Sequence, residues 1–257
     1  MNYKFLKQFL LPLLVILSIL ALFDKFPIWV ILILFTTYIS LLILGSIYIG
    51  LNFYLHSICS VDEFPEFENN QADDKFICLT FDDGIHPVNT PKTLEILKKK
   101  NVKAHFFLIG KNIIGNEAIL RKMHEDNHVI GNHSYWHHWN FDLQSGSIMA
   151  KEIEKTNQIV EKNIGKRTTL FRPPYGVTNP NLAKAINENK MISMGWNVRS
   201  MDTVAKSKEQ LLNKLKNNTK PNAVILLHER CDTTIEVLTE YIDYCQAQGY
   251  KFVTLNV

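Results

Sequence analysis

The stretch Phe76-Ile77-Cys78-Leu79-Thr80-Phe81-Asp82-Asp83-Gly84 decides how the chain folds. Six residues without a charge are followed by two adjacent carboxylates and a glycine. A run this short, closed by turn residues, predicts a strand buried on both faces, as in parallel sheets. Outward from it, similar apolar, β-rich runs recur at Val102–Ile109, His128–Gly131, Thr169–Arg172, Met191–Trp196, Ala223–Leu227 and Phe252–Leu255. Helical patterns separate them, at about Pro91–Lys100, Asn116–Asp126, Ser147–Asn163, Asn179–Glu188, Lys208–Asn217 and Thr234–Gln248. Pro91 after Thr90 and Pro180 after Asn179 are helix-start signals. Seven strands alternating with six helices predict an α/β domain with a parallel sheet, open or closed into a barrel. The unusual polar residues fall just after strands, where such folds place their sites.

Upstream, the composition changes. The whole chain is 46% hydrophobic and 21% charged over 257 residues, which is ordinary. Yet Gln8 to Phe23 and Phe26 to Val61 contain no Asp, Glu, Lys or Arg. This excludes a plain cytosolic protein, a disordered chain and a disulfide-stapled miniprotein. A bilayer core needs roughly 20 helical residues, so the second stretch predicts a transmembrane helix at about 28–55. The first, about 9–23, is shorter and predicts a second helix, joined through the Asp24-Lys25-Phe26-Pro27 turn. A cleaved signal peptide is the rival reading of residues 1–23, and the lack of a small-x-small cleavage site speaks against it. The expected organisation is a membrane anchor over 1–56, an acidic linker over 57–75 containing Pro65, and one catalytic-sized domain over 76–257. The expected location is integral to the cell membrane. Lys4 and Lys7 favour a cytoplasmic N-terminus and Lys25 opposes it, so the side that carries the domain stays open.

Residues 1–75 carry a net charge of −3, and the remainder +6, without Arg-rich runs. That balance describes a mixed solvated surface and predicts no nucleic-acid partner. The cysteines Cys59, Cys78, Cys231 and Cys245 lack C-x-x-C spacing, and no disulfide framework is expected.

Four clusters follow four strands. In Thr80-Phe81-Asp82-Asp83-Gly84, one carboxylate could bind a metal while the other takes a proton, although Asp-Asp-Gly alone is an ordinary turn. In His133-Ser134-Tyr135-Trp136-His137-His138, a helical turn would place the rings of His133 and His137 on one side. Imidazoles so spaced suit Zn²⁺ and related cations. A carboxylate from the first cluster would complete three protein ligands and leave positions open, as in a catalytic site. In Phe171-Arg172-Pro173-Pro174-Tyr175-Gly176, two prolines stiffen a loop, and Arg172 is an always-charged fork suited to a carboxylate. Ile225-Leu226-Leu227-His228-Glu229 ends a buried strand in a histidine. Between the last two lies Trp196–Asp202, a further acid after a strand.

Taken together and in this order, the motifs TFDDG, HSYWH, RPPYG, the segment ending at Asp202, and LLHE resemble the NodB-type polysaccharide deacetylases, carbohydrate esterase family 4. The resemblance covers about Lys75 to Val257. It implies a distorted (β/α) barrel of about seven parallel strands. It implies that Asp83, His133 and His137 hold one divalent metal ion, with Zn²⁺ expected and Co²⁺, Ni²⁺ or Mn²⁺ also compatible. Asp82 then corresponds to the general base and Arg172 to the arginine that orients it. Tyr175 corresponds to the residue whose backbone N–H helps bind the oxyanion. Asp202 corresponds to the acid paired with the catalytic histidine, His228, which is the general acid. Leu226 corresponds to the leucine lining the acetyl-methyl pocket.

The implied activity is removal of N-acetyl or N-acyl groups from an amino sugar. The implied partners are an acetylated glycan of the envelope or its lipid-linked precursor, together with the lipid bilayer. Two other readings compete: a catalytically silent glycan-binding member, and an O-acetyl esterase or other deacylase. The intact ligand and acid/base set argues against the silent form. Ile85, His138 and Glu229 depart from the family pattern, where Pro, Pro and Asp are usual; His105 stands where Thr is common. Thr203 replaces a tryptophan that walls the sugar groove, which bears on specificity.

Overall fold

A computed structural model describes residues 2–23, 26–67 and 74–255. The expected Asp24-Lys25 turn, part of the acidic segment (68–73) and residues 256–257 lie outside the described residues.

Among the described residues, nine strands form one sheet: β1 (Ser57–Ile58), β2 (Phe76–Gly84), β3 (His105–Leu108), β4 (Val129–Asn132), β5 (Leu170–Phe171), β6 (Ile192–Met194), β7 (Val198–Arg199), β8 (Ala223–His228) and β9 (Lys251–Phe252). Their order is β1-β6-β5-β4-β3-β2-β8-β7, with β9 paired to the start of β2. Every pairing is parallel. The sheet curls until the end of β1 approaches the start of β8: Ser60 bridges Ala223, and the Val61 N–H donates to the Asn222 carbonyl. The result is the distorted parallel α/β barrel expected from the sequence.

The seven expected strands are present, some shorter or slightly shifted. β2 is the axis: it pairs β3 on one side and β8 on the other, and its Ile77, Cys78, Leu79 and Phe81 are fully buried. Helices cover the outside. In Gly146–Ile164, Met149, Ile153 and Val160 recur at helical spacing and are buried, and Gly165 closes the helix at φ 69°. Pro180–Glu188 begins at Asn179, whose side chain accepts the Leu182 N–H.

The expected linker is corrected over 57–67. Ser57–Ile58 is a strand paired with β6, and Val61 and Phe64 are fully buried. The acids that suggested a linker, Asp62, Glu63 and Glu66, face solvent on two short 3-10 turns. The other unforeseen strand is β7, two residues beside β8.

At the N-terminus, Tyr3–Leu22 and Ile28–Ile47 are each 20 residues long, with mean hydropathy 2.3 and 2.4. By length and composition both are sufficient to cross a membrane. The first begins six residues before its expected start. The second ends at Ile47 rather than near residue 55: Tyr48 leaves helical geometry (φ -105°, ψ 89°), Asn52 then takes a left-handed conformation (φ 50°), and Phe53 folds back onto Gly45, where any side chain would collide with its ring. Hydroxyls along the second helix bond to carbonyls of its own preceding turn: Thr37 to Ile33 and Ser40 to Thr36.

Candidate active site

The site is built at the C-terminal end of β2. Adjacent strand residues ordinarily point to opposite faces. Here the pairing with β3 slips between Asp82 and Gly84, and Asp83 has φ 69°. This bulge turns both carboxylates to the same mouth. Asp82 Oδ2 and Asp83 Oδ1 each lie 3.7 Å from His133 Nε2. Gly84 is required there, since a side chain would meet Glu229.

His133 follows β4. Its Nδ1 donates to the Arg172 carbonyl at 2.7 Å, which fixes the tautomer and leaves Nε2 with its lone pair facing Asp83. His137 arrives differently from expectation. In place of a helical turn, the loop bends through Ser134 and His137, both at positive φ, and the Ser134 Oγ accepts the His137 N–H. Buried Glu152 accepts the intervening N–H groups of Tyr135 and Trp136, pinning the loop to the helix beneath. His137 Nε2 lies 3.6 Å from Asp83 Oδ1. One donor atom from each of Asp83, His133 and His137 falls within a 4.8 Å group. Donors about 2.0–2.1 Å from a tetrahedral ion lie roughly 3.4 Å apart. The observed separations from Asp83 Oδ1 are within a few tenths of that, so the set fits a divalent cation.

The electrostatics favour ligation. Burial and the neighbouring His133 lower His137 to about 4, keeping it neutral despite Asp83. Burial pushes the Asp83 carboxyl up, but His133, His137, His228 and Arg230 outweigh it and hold it ionised below the usual range.

On one flank is Arg172, wholly buried. Its Nη1 donates to Asp82 Oδ1 and Thr80 Oγ1, both at 2.7 Å, its Nε to the Met194 carbonyl and its Nη2 to the Gly195 carbonyl. The guanidinium also lies 4.1 Å over the Phe107 ring. On the other flank, the His228 Nδ1 meets Asp202 Oδ1 at 2.8 Å. Asp202 Oδ2 accepts the His228 N–H and the Thr234 hydroxyl. Burial lowers the His228 pKa, but the Asp202 hydrogen bond and the charges of Asp202, Asp82 and Asp83 reverse this and hold it above its ordinary value. Asp202, raised by burial and lowered more by His228 and Thr234, lies below the carboxylate range.

Tyr175 sits in the turn Pro174–Gly176 at φ 59°, half exposed, its ring edge-on to His137 at 4.6 Å. Leu226 is buried on β8 beside Thr80. All the expected residues except Arg172 and Asp202, which act from behind, line one cavity of about 170 Å³.

Trp196, Arg199 and Arg230 also line this cavity and were not foreseen as site residues. Trp196 packs on Gly176, whose missing side chain makes room for it. Arg230 Nε pairs with Asp83 Oδ2 at 2.9 Å, leaving Oδ1 to the histidines. Two residues past His228, it offered no pattern to read. Glu229 is buried and accepts from the Thr90 hydroxyl; burial, then Asp83 and Asp82, raise its pKa well above the usual carboxylate value.

The sequence profile described as polysaccharide deacetylase matches residues 69–193. A peptidoglycan-N-acetylglucosamine deacetylase of Bacillus cereus is 30% identical, over 74% of this chain and 90% of its own length. Peptidoglycan-N-acetylglucosamine deacetylase PgdA of Listeria monocytogenes is 34% identical over 79% of this chain, which covers only 42% of that longer protein. The solved structure of peptidoglycan deacetylase PdaC from Bacillus subtilis superposes with a TM-score of 0.67 at 33% identity, covering 71% of this chain and 89% of that one. The chain therefore belongs to the polysaccharide deacetylase family, carbohydrate esterase family 4.

Proposed function

We propose that this protein is a membrane-anchored, metal-dependent deacetylase that hydrolyses the N-acetyl or N-acyl group of an amino sugar in a cell-envelope glycan or its precursor. The relatives' names, peptidoglycan-N-acetylglucosamine deacetylase among them, support the substrate class. The two helices at Tyr3–Leu22 and Ile28–Ile47 support the anchor. The single observation that carries the chemistry is the arrangement across one cavity: the Asp83, His133 and His137 group lies between an Asp82–Arg172 pair and a His228–Asp202 pair.

A divalent cation held by Asp83, His133 and His137 would supply Lewis acidity, polarising the acyl carbonyl and acidifying water near neutral pH. Asp82 takes the water proton as oxygen adds to the acyl carbon. Arg172 holds that carboxylate in place and offsets its burial. The backbone N–H of Tyr175 stabilises the tetrahedral oxyanion. As the carbon–nitrogen bond breaks, His228 gives its proton to the departing nitrogen, and Asp202 keeps the imidazole cationic until then. The products are a free amine on the sugar and a carboxylate such as acetate.

The test is acetate release by metal-loaded protein from N-acetylated chito-oligosaccharide and peptidoglycan fragments. Asp82→Asn and His228→Ala should each lower kcat about 10²- to 10⁴-fold. Glycan binding without acetate release would instead establish a silent member of the family, and full activity in either variant would overturn the assigned roles.

A further inference from the structure

We infer that the catalytic face lies on the bilayer, with Trp139 and Leu143 immersed at the headgroup level, so that the substrate is an acylated amino sugar carried on a lipid. This rests on the membrane anchoring proposed above and specifies the substrate that the same site receives.

Three observations carry it. First, the second apolar helix is clamped to a site loop. Thr178, three residues past Tyr175, donates its N–H to the Ser46 carbonyl at 2.9 Å and accepts the Ser46 hydroxyl at 2.6 Å, while its own hydroxyl reaches the Gly45 carbonyl. The end of a membrane-length helix is thereby tied to the cavity wall, with no flexible spacer between them.

Second, the same clamp continues into the loop that carries His137. Asn179 Nδ2 donates to the Asp142 carbonyl at 2.7 Å, and Asn181 Nδ2 to the Gln144 carbonyl. Third, that loop turns its largest apolar side chains outward. Trp139 and Leu143 are each 76% exposed, and Ile148 also faces solvent, while Phe141 between them is buried as the loop's anchor. At the helix end, Tyr48 and Leu51 are likewise exposed. Large apolar side chains exposed together along one short stretch mark an interaction site. Tryptophan and tyrosine beside aliphatic side chains suit the boundary between headgroups and acyl chains. A sugar platform would use the aromatic ring alone, and Leu143 and Ile148 offer no face for stacking. The hydrogen-bonded tie from the helix end through Thr178 and Asn179 to this loop selects the bilayer as the occupant.

His137 is two residues from Trp139, and Tyr175 three from Thr178. If those flanking residues are at the surface of the bilayer, the cavity mouth opens at headgroup depth. A sugar attached to a lipid reaches that depth without leaving the membrane.

The experiment uses the full chain in phosphatidylethanolamine/phosphatidylglycerol vesicles whose acyl chains are brominated near the headgroup. Trp29→Phe removes the tryptophan of the second helix, and the pair Trp29→Phe and Trp29→Phe/Trp139→Phe isolates Trp139. The expected result is quenching of the Trp139-dependent emission. A second variant, Leu143→Lys, should lower acetate release from a vesicle-borne acetylated glycolipid about tenfold, with release from water-soluble chito-oligosaccharide unchanged. If the protein leaves the vesicles in alkaline carbonate, the anchoring reading fails and the docking falls with it. If it stays and Trp139 is not quenched, or is protected only by soluble oligosaccharide, the docking alone is overturned.

Discussion

Replacing Asp202 by Asn keeps the shape of the His228 partner and removes its charge. Asp202 Oδ2 accepts two donors, the His228 N–H at 2.6 Å and the Thr234 hydroxyl at 2.8 Å. Asp202 Oδ1 accepts the Thr203 N–H as well as facing His228 Nδ1, so in the Asp202→Asn variant one main-chain donor loses its acceptor whichever way the amide turns. In either orientation the imidazolium loses its counter-charge. Two unit charges about 4 Å apart at an effective dielectric of about 20 interact by ~4 kcal/mol. That corresponds to about 3 pK units and agrees with the 1–3 units that such neighbours typically produce. In the native protein the His228 pKa lies above its ordinary value, so kcat/KM should fall on the basic side with a midpoint above about 6.5. In the variant that limb should move down by about 1–3 units, costing roughly 10- to 1,000-fold at a pH above both midpoints. The assay is the pH profile of acetate release by metal-saturated protein, with Thr234→Val as a control that removes one hydrogen bond but keeps the charge. An unchanged limb in Asp202→Asn would refute the pairing as the source of the cationic His228.

Three further outcomes follow from the geometry. Arg172→Met leaves the Asp82 carboxylate buried without its partner and should lower unfolding free energy by about 3–5 kcal/mol, read by urea denaturation; a loss below about 1 kcal/mol would contradict the pairing. Arg230→Ala frees Asp83 Oδ2 and should weaken metal affinity about 10- to 100-fold, measured by competition with a chelator. Gly176→Ala places a side chain against Trp196 in a backbone at φ 71°; it should cost about 1–3 kcal/mol and raise KM more than it lowers kcat.

Linkage gives the stability of the site a pH window. The Asp202 carboxyl lies below its usual value, so its contribution is present above about pH 4 and is lost as pH falls through the folded value. The His228 pKa lies above its usual value, so its contribution is complete below about 6.5 and is lost as pH rises through the folded value. Urea titrations of the native protein and of Asp202→Asn across pH 3–9 should differ most between those bounds.

The long apolar runs were legible because burial on both faces leaves an unbroken hydrophobic signature, as in β2 and β8. β1 and β7 were not, since two residues carry no periodicity, and β1 is flanked by the acids of an exposed turn. The second apolar helix read too long for the converse reason: Tyr48 to Leu55 is as free of charge as the helix but folds back through Asn52 and Phe53. At the site, residue types and order identified the groups that meet across the cavity. The route by which His137 reaches Asp83 was not readable, because positive φ at Ser134 and His137 is a backbone choice that neither residue type announces. Arg230 and Trp196 escaped for another reason: each belongs to the site through a partner distant in sequence, Asp83 and Gly176.

The central position of β2 also sets a schedule for biogenesis. Its hydrogen-bonded neighbours β8 and β9 lie far downstream; the Thr80 hydroxyl, for one, bonds a carbonyl 145 residues later. Until those last strands leave the ribosome, Asp82 and Asp83 sit on a strand with one edge unpaired, whereas the two apolar helices emerge first. Pairing at such separation is slow, and an unpaired strand edge invites aggregation. The nascent chain would therefore wait with that strand incomplete, and a truncation removing β9 should yield a chain captured by chaperones or proteases instead of a weakened enzyme.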